Sequence, residues 1–224
     1  MNIGNDIKDI LLQEHTTGST LGVNPDEVIP RYLKRTEVQR ERTRAKSEVF
    51  TPVGIVKRMN DHLDASFDGS DEEYIRRTVL EVTCGEAPFI TTGYDATSGA
   101  VIPQHDRVGI LDRKLRRITT DDEGVWRRLA ELALKSTYGY EWQEDSLYLA
   151  RVNVLLAVAD AFTARFGKEP ADMERWAEIV SYNFFRMDGV SMCVPETEIP
   201  ARVMNWESGE MERFDGKADN VALW

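Results

Sequence analysis

Apolar positions along the chain follow two patterns, short continuous runs and longer stretches in which they recur every three or four residues. The clearest periodic stripe is Leu147, Ala150, Val154, Leu155, Val158 and Phe162, which predicts a helix over residues 144–166. Gly167 stops it, because glycine readily adopts the left-handed conformation that ends helices. Val125, Leu129, Leu132 and Ala133 predict another helix over about 122–136, and a third spans about 171–179. Strand-like runs alternate with these helices. One begins near Thr78 and reaches Glu81, one covers Thr137–Trp142, and one covers Ile179–Phe185 and is ended by Asp188-Gly189. Strand, helix, strand, helix, strand predicts a parallel α/β sheet.

The flanking segments are less regular. Residues 1–30 read as irregular or partly helical, 31–46 as helix-permissive, and 64–73 as a loop or helix end. Thr51-Pro52 predicts a helix start, followed by Val53, Val56 and Met59 at helical spacing, since proline is tolerated at the first helical position. Within the insert between Thr91 and Arg117 the Ser98-Gly99 turn suggests a short hairpin. Residues 199–214 read as another hairpin around Glu207–Glu210.

Three acidic residues fall just after the three predicted strands: Glu81, Glu141 and Asp188. Parallel strands end on one edge of their sheet, so the three carboxylates are expected to converge on one crevice, the usual ligand position in such folds. The first belongs to Glu81-Val82-Thr83-Cys84-Gly85-Glu86-Ala87-Pro88-Phe89, an apolar strand running into a tight, glycine-containing turn. Carboxylates and exposed backbone N–H groups suit a nucleoside cofactor: the carboxylates accept hydrogen bonds from its amino and hydroxyl groups, and the N–H groups donate to its acceptor atoms. A single acid after a strand is ordinarily a turn residue or a helix cap. The convergence of three is what points to a pocket.

Four segments in order resemble the motifs of the γ-type adenine-N6 DNA methyltransferases, in particular the short methylase subunits of restriction–modification systems. Glu48-Val49-Phe50-Thr51-Pro52 resembles the motif before the sheet, and Glu81 to Phe89 resembles the glycine loop. Tyr138-Gly139-Tyr140-Glu141 with Leu149-Ala150-Arg151-Val152-Asn153 resembles the second-strand acid and its helix. Asn183 to Asp188-Gly189 resembles the third-strand motif. The resemblance covers about residues 48–190 and implies a Rossmann-like methyltransferase fold that binds S-adenosyl-L-methionine (AdoMet). It assigns the cofactor to Phe50, Thr51, Glu81, Thr83, Cys84, Gly85, Glu141, Trp142 and Asp188. Phe50 and Thr51 would cover the methionine end, Glu141 would meet the ribose, and Asp188 the adenine amino group.

The chain departs from that family at two places. Ala87 and Pro88 replace the second glycine of the loop and its neighbour, which narrows backbone approach and removes an N–H donor. The Asn/Asp-Pro-Pro-Tyr/Phe signature, which ends the family's fourth strand and holds the flipped-out base, is missing: none of the eight prolines is followed by another. No catalytic residue is therefore assigned. The expected sheet is truncated after its third strand, with a helical N-terminal segment over 1–47 and the AdoMet-binding domain over 48–224. Two readings follow. Either the chain is a methyltransferase-like subunit that acts on DNA with a partner restriction–modification subunit, or it is a catalytically inactive relative with a regulatory or interaction role.

Composition adds limits. Hydrophobic residues at 42% and charged residues at 30% describe an ordinary globular chain, without an apolar run of membrane-spanning length. The N-terminus does not read as a signal peptide and the two cysteines suggest no disulfide framework, so a cytoplasmic location is expected. A net charge of −11 disfavours tight nonspecific DNA binding. Residues 31–46, however, hold seven basic and two acidic side chains, either a solvated helix face or a nucleic-acid contact. Cys84 reads as a packing residue, the three histidines lack metal-ligand spacing, and Trp142, Trp176 and Trp206 read as core or interface residues. Asp106-Arg107 and Asp112-Arg113-Lys114 read as loop ion pairs, or the insert caps the crevice or contacts DNA or a partner.

Overall fold

The computed structural model describes residues 3–46, 51–215 and 222–223. The chain opens with α1 (Asn5–Leu12) and a small antiparallel ribbon, β1 (Gln13–Glu14) with β2 (Ser19–Thr20). Helices α2 (Thr36–Lys46), α3 (Val53–Asp64) and α4 (Asp71–Arg76) precede the first strand of the main sheet, β3 (Val79–Glu81). Then follow α5 (Ile110–Arg116), α6 (Glu123–Lys135), β4 (Thr137–Glu141), α7 (Glu144–Phe166), α8 (Met173–Asn183) and β5 (Phe184–Arg186). A hairpin, β6 (Arg202–Asn205) and β7 (Glu210–Arg213), leads to β8 (Ala222–Leu223).

The main sheet runs β5-β4-β3-β8, and every neighbouring pair is parallel. Side chains alternate across it, as the pleat requires. Val79 and Phe184 join the larger core with Trp126, Leu147, Val154, Phe162 and Trp176 of α6, α7 and α8. Leu80, Tyr140 and Phe185 face the other way, into a smaller core closed by Ala201, Val203 and Phe214 around the hairpin. One face of the sheet is thus covered by helices and the other by a β-ribbon. By length and composition α7 could cross a membrane, yet 67% of its apolar window is buried inside the protein, so its apolar character is used by the core.

Several expectations shift. The third strand is Phe184–Arg186 rather than Ile179–Phe185. Ile179 and Val180 lie one turn from Trp176 on the buried face of α8, which continues until the Phe184 N–H bonds the Val180 carbonyl. The sheet does not stop at its third strand, since β8 adds a fourth beside β3. Within 64–73 a helix begins. Ser70 and Glu73 form a reciprocal capping box that satisfies two of the donors a helix start leaves open. The Ser98-Gly99 turn closes a single bridge, Tyr94 to Val101, rather than a ladder.

Charged residues of the insert turn inward. Asp112 accepts hydrogen bonds from the N–H groups of Thr92 and Gly109 and from the Thr91 hydroxyl, capping α5. Arg107 pairs with Asp160 at 2.6 Å, and Arg113 with Asp61 and Asp64 at 2.8 and 2.6 Å. Lys114 is fully buried and donates to the Arg77 and Ser136 carbonyls and to the Ser136 and Thr137 hydroxyls, while burial pushes its pKa well down. These side chains hold α5 in place; they are neither ion pairs within a loop nor a cap over the crevice. Arg151 of α7, also fully buried, donates to the carbonyls of Leu11, Gln13, Ser181 and Phe184. Burial lowers its pKa to about 10. It fastens the N-terminal segment to the last turn of α8 and the start of β5.

Candidate functional site

The carboxyl ends of β3, β4 and β5 open into a cleft of about 1050 Å³. Its floor is the turn after β3, where Thr83, Gly85 and Ala87 all have positive φ (49°, 55° and 61°). Such angles are natural for glycine, whereas each of the other two is strained by roughly 1–2 kcal/mol. Ala87 takes the backbone conformation that a glycine would, with its methyl group wholly buried. Three hydrogen bonds hold the turn: Cys84 N–H to Tyr140 O (2.8 Å), Ala87 N–H to Cys84 O (2.7 Å) and Gly85 N–H to Glu141 Oε2 (2.8 Å). Gly139 permits the close approach. A Cβ there would lie 2.7 Å from the Phe184 ring and 3.2 Å from Cys84 Sγ.

The three acids differ in environment. Glu81 is 3% exposed; its Oε1 accepts a long hydrogen bond from Phe89 N–H (3.3 Å), and its Oε2 has no partner among the described residues. Burial drives its pKa well above the ordinary carboxylate range, and the nearby Glu141 charge adds to the rise. Glu141 is fixed at both oxygens: Oε2 takes Gly85 N–H, while Oε1 takes the N–H groups of Trp142 and Gln143 (2.9 and 3.0 Å). It orders the approach to α7 and steadies the turn at once. Asp188 accepts from Val190 N–H and the Ser191 hydroxyl, which hold its pKa below the usual range.

Of the residues assigned from sequence, Thr51, Glu81, Thr83, Cys84, Gly85, Glu141, Trp142 and Asp188 all border this one cleft. Phe50 lies outside the described residues. Cys84 is buried, which pushes its thiol pKa well up and makes it a packing residue of the floor. Thr51 does not cap α3. Pro52 sits at the cap position and the first helical N–H, from Val53, bonds Asp95 across the insert (2.9 Å). The cleft also gathers Ala45, Met59, Met187 and Val190.

Behind the turn lies a network that the motifs did not reveal. Glu86 Oε2 accepts from the Tyr94 hydroxyl (2.5 Å) and Oε1 from Arg31 N–H (2.7 Å). Asn153 of α7 donates to Glu86 O and to the Tyr94 oxygen. Glu86 thus joins the turn to the insert and to the basic segment. That segment is anchored a second time at Asp145 on the first turn of α7, which accepts from Lys34 (3.0 Å) and Arg42 (2.9 Å). Burial alone would raise the Asp145 pKa, yet the bonds from Arg42 and Lys34 hold it down.

The site offers hydrogen-bond acceptors and one buried carboxyl with an unpartnered oxygen. A second depression, about 770 Å³, lies between the sheet and the β6–β7 hairpin, nearer the amino ends of β3 and β4 and away from these acids. No family model, curated protein or solved structure shows significant similarity to this chain.

Proposed function

We propose that the cleft binds AdoMet and that the chain is the cofactor-binding part of an adenine-N6 DNA methyltransferase of a restriction–modification system. One observation carries this reading: every described residue that the family resemblance assigns to the cofactor borders one cleft at the carboxyl edge of a parallel sheet. The strand order third, second, first, fourth supports a Rossmann-like reading, in which the ligand crevice opens where the order reverses beside the first strand, although a β-ribbon stands in for the helices on the second face. Glu81 ends that strand, and its buried, unpartnered oxygen suits a cationic amino group. Glu141, held by three backbone N–H groups, is oriented before any ribose hydroxyl arrives, and Asp188 stands at the third strand for the adenine amino group. The cofactor would supply an electrophilic methyl group. The residues named here bind and orient, and none is assigned to the transfer itself.

In this reading the base-holding loop, whose Pro-Pro signature is missing from these 224 residues, comes from a partner subunit, as the resemblance implies. Titration calorimetry with AdoMet and its demethylated product tests the reading. We expect one site per chain and a loss of affinity of about tenfold or more in Glu141→Gln and in Asp188→Asn, each removing a charged acceptor. Unchanged affinity in both variants, or no binding of either ligand, overturns it. Binding without methyl transfer to any DNA, with partner subunits present, identifies the inactive regulatory reading instead.

A further inference from the structure

We infer that Glu86 positions the turn after β3 for its ligand and joins it to segment 31–46, so that docking of that segment and filling of the cleft reinforce each other. The inference rests on the cofactor reading and adds regulation to that site. The turn is left-handed at Thr83, Gly85 and Ala87. Residues other than glycine keep such angles only where their surroundings fix them from several sides. On the cleft side the Gly85 N–H bonds Glu141. On the other side stands Glu86, 3% exposed and flanked by the left-handed Gly85 and Ala87. Its carboxyl accepts from the Tyr94 hydroxyl of the insert and from the Arg31 N–H, and its carbonyl accepts from Asn153 of α7. Burial, with the Glu86 charge adding to it, raises the Tyr94 pKa, so this hydroxyl remains a donor.

The Arg31 contact differs from the other two in what stands behind it. Asn153 belongs to the core helix, whereas no residue from 31 to 45 is fully buried. Val38 and Ala45 are the apolar side chains of α2, and both are exposed. A helix without a buried apolar face draws little stability from packing. Polar contacts dock the segment instead, Arg31 N–H on Glu86 and Lys34 and Arg42 on Asp145, with the Tyr32 ring beside Tyr94 at 5.3 Å between centroids. Segments held in this way open locally at small cost. Each opening takes a donor from a buried oxygen of Glu86, and the turn then shifts or loses order. In the cofactor reading a ligand at Glu141 and Gly85 fixes the same turn from its other side. The ligand therefore favours the docked segment, and by linkage the docked segment favours the ligand to the same degree.

Residue 31 allows that one N–H to be removed. Arg31 opens a 3₁₀ turn after Pro30, whose backbone is extended at ψ 151°. Proline is tolerated at the start of such a turn, and an extended residue suits the position before it. Arg31→Pro deletes the N–H and the side chain, Arg31→Ala the side chain alone, so the difference between them reports the bond to Glu86. Titration calorimetry with AdoMet and hydrogen exchange read by mass spectrometry test the inference. R31P is expected to bind AdoMet about five- to tenfold more weakly than R31A. AdoMet should slow amide exchange in residues 36–46 of the parent and of R31A, and leave it unchanged in R31P. Asp145→Asn removes the acceptor that Lys34 and Arg42 share, and is expected to weaken AdoMet binding about threefold by loosening the segment at its other anchor. Without any ligand, the amides of 83–87 should exchange faster in R31P than in R31A. Equal affinity and equal exchange in R31P and R31A overturn the inference, as does AdoMet binding to the parent without slower exchange in 36–46. Failure of AdoMet to bind the parent strikes the cofactor reading alone, because the ligand-free exchange of the turn is measured independently.

Discussion

Glu81→Gln separates the chemistry of the cleft from its architecture. Glu81 is a buried acid whose pKa is raised, chiefly by burial, so the folded protein holds its proton more tightly than the unfolded chain. The sign follows by linkage. The stability associated with Glu81 is fully present below the unfolded value, near 4.3, and declines as pH rises towards the folded pKa, by about 1.4 kcal/mol for each pH unit crossed. Glutamine has the same shape and no proton to lose. Its oxygen can still accept from Phe89 N–H, although its amide would meet the same unpartnered surroundings as Oε2. We expect E81Q to unfold with a flatter pH dependence and to be more stable than the parent as pH rises above the unfolded value, the gain being reduced by the cost of the unsatisfied amide. Ligand binding moves the other way. A cationic amino group recruits the ionised carboxyl, so AdoMet binding to the parent releases a proton, and its affinity rises towards tenfold per pH unit where free Glu81 is protonated. Calorimetry in buffers of different ionisation enthalpy measures the proton release. E81Q abolishes it and weakens binding. Loss of stability in E81Q at neutral pH, with the parent's pH slope retained, would refute the argument.

Three further expectations concern stability. Glu141→Ala strands the N–H groups of Gly85, Trp142 and Gln143, so thermal unfolding should show a loss of about 2–4 kcal/mol and hydrogen exchange should quicken in the turn after β3. Arg151→Met leaves four carbonyls without their donor, those of Leu11, Gln13, Ser181 and Phe184. A loss of about 3–5 kcal/mol is expected by urea denaturation, with residues 11–14 the first to lose protection. His15, stacked on Tyr182 and bonded to Ser181, is held neutral by burial, assisted by Arg151, with its pKa lowered to about 4. Its contribution is complete above the unfolded value near 6.5 and is lost as pH falls towards 4. His15→Gln should flatten the acid limb of the stability curve.

What the sequence revealed and concealed divides along the range of the interactions. The helix 144–166 and its stop at Gly167 were legible because each signal lies within the element: an apolar stripe, then a residue that takes φ of 67°. The hairpin at 202–213 was legible for the same reason. Ile179-Val180 misled because β-branched pairs suit a strand and a buried helix face alike, and only the neighbouring Trp176 decides between them. The capping box Ser70-Asp71-Glu72-Glu73 was a local signal that an acidic, glycine-containing context obscured. No sequence rule would have put Lys114 or Arg151 wholly inside, since burial of each depends on carbonyls brought from distant segments.

The candidate site obeys the same division. Its three acids were legible because each ends or closely follows a strand, and parallel pairing delivers strand ends to one edge whatever the connections between them. The support behind them was not. Glu86 was visible in the turn, but its partners Arg31 and Tyr94 lie 55 and 8 residues away and are joined only by the fold. Ala87 shows how the two levels combine. As a letter it breaks the glycine pattern, whereas in the structure it occupies the left-handed conformation that glycine would take, with its methyl in the core. Burying that methyl contributes about 0.8 kcal/mol, of the same order as the strain it carries. The departure that argued against the family's loop is, in energy, close to neutral, and Ala87→Gly should change stability by less than about 1 kcal/mol.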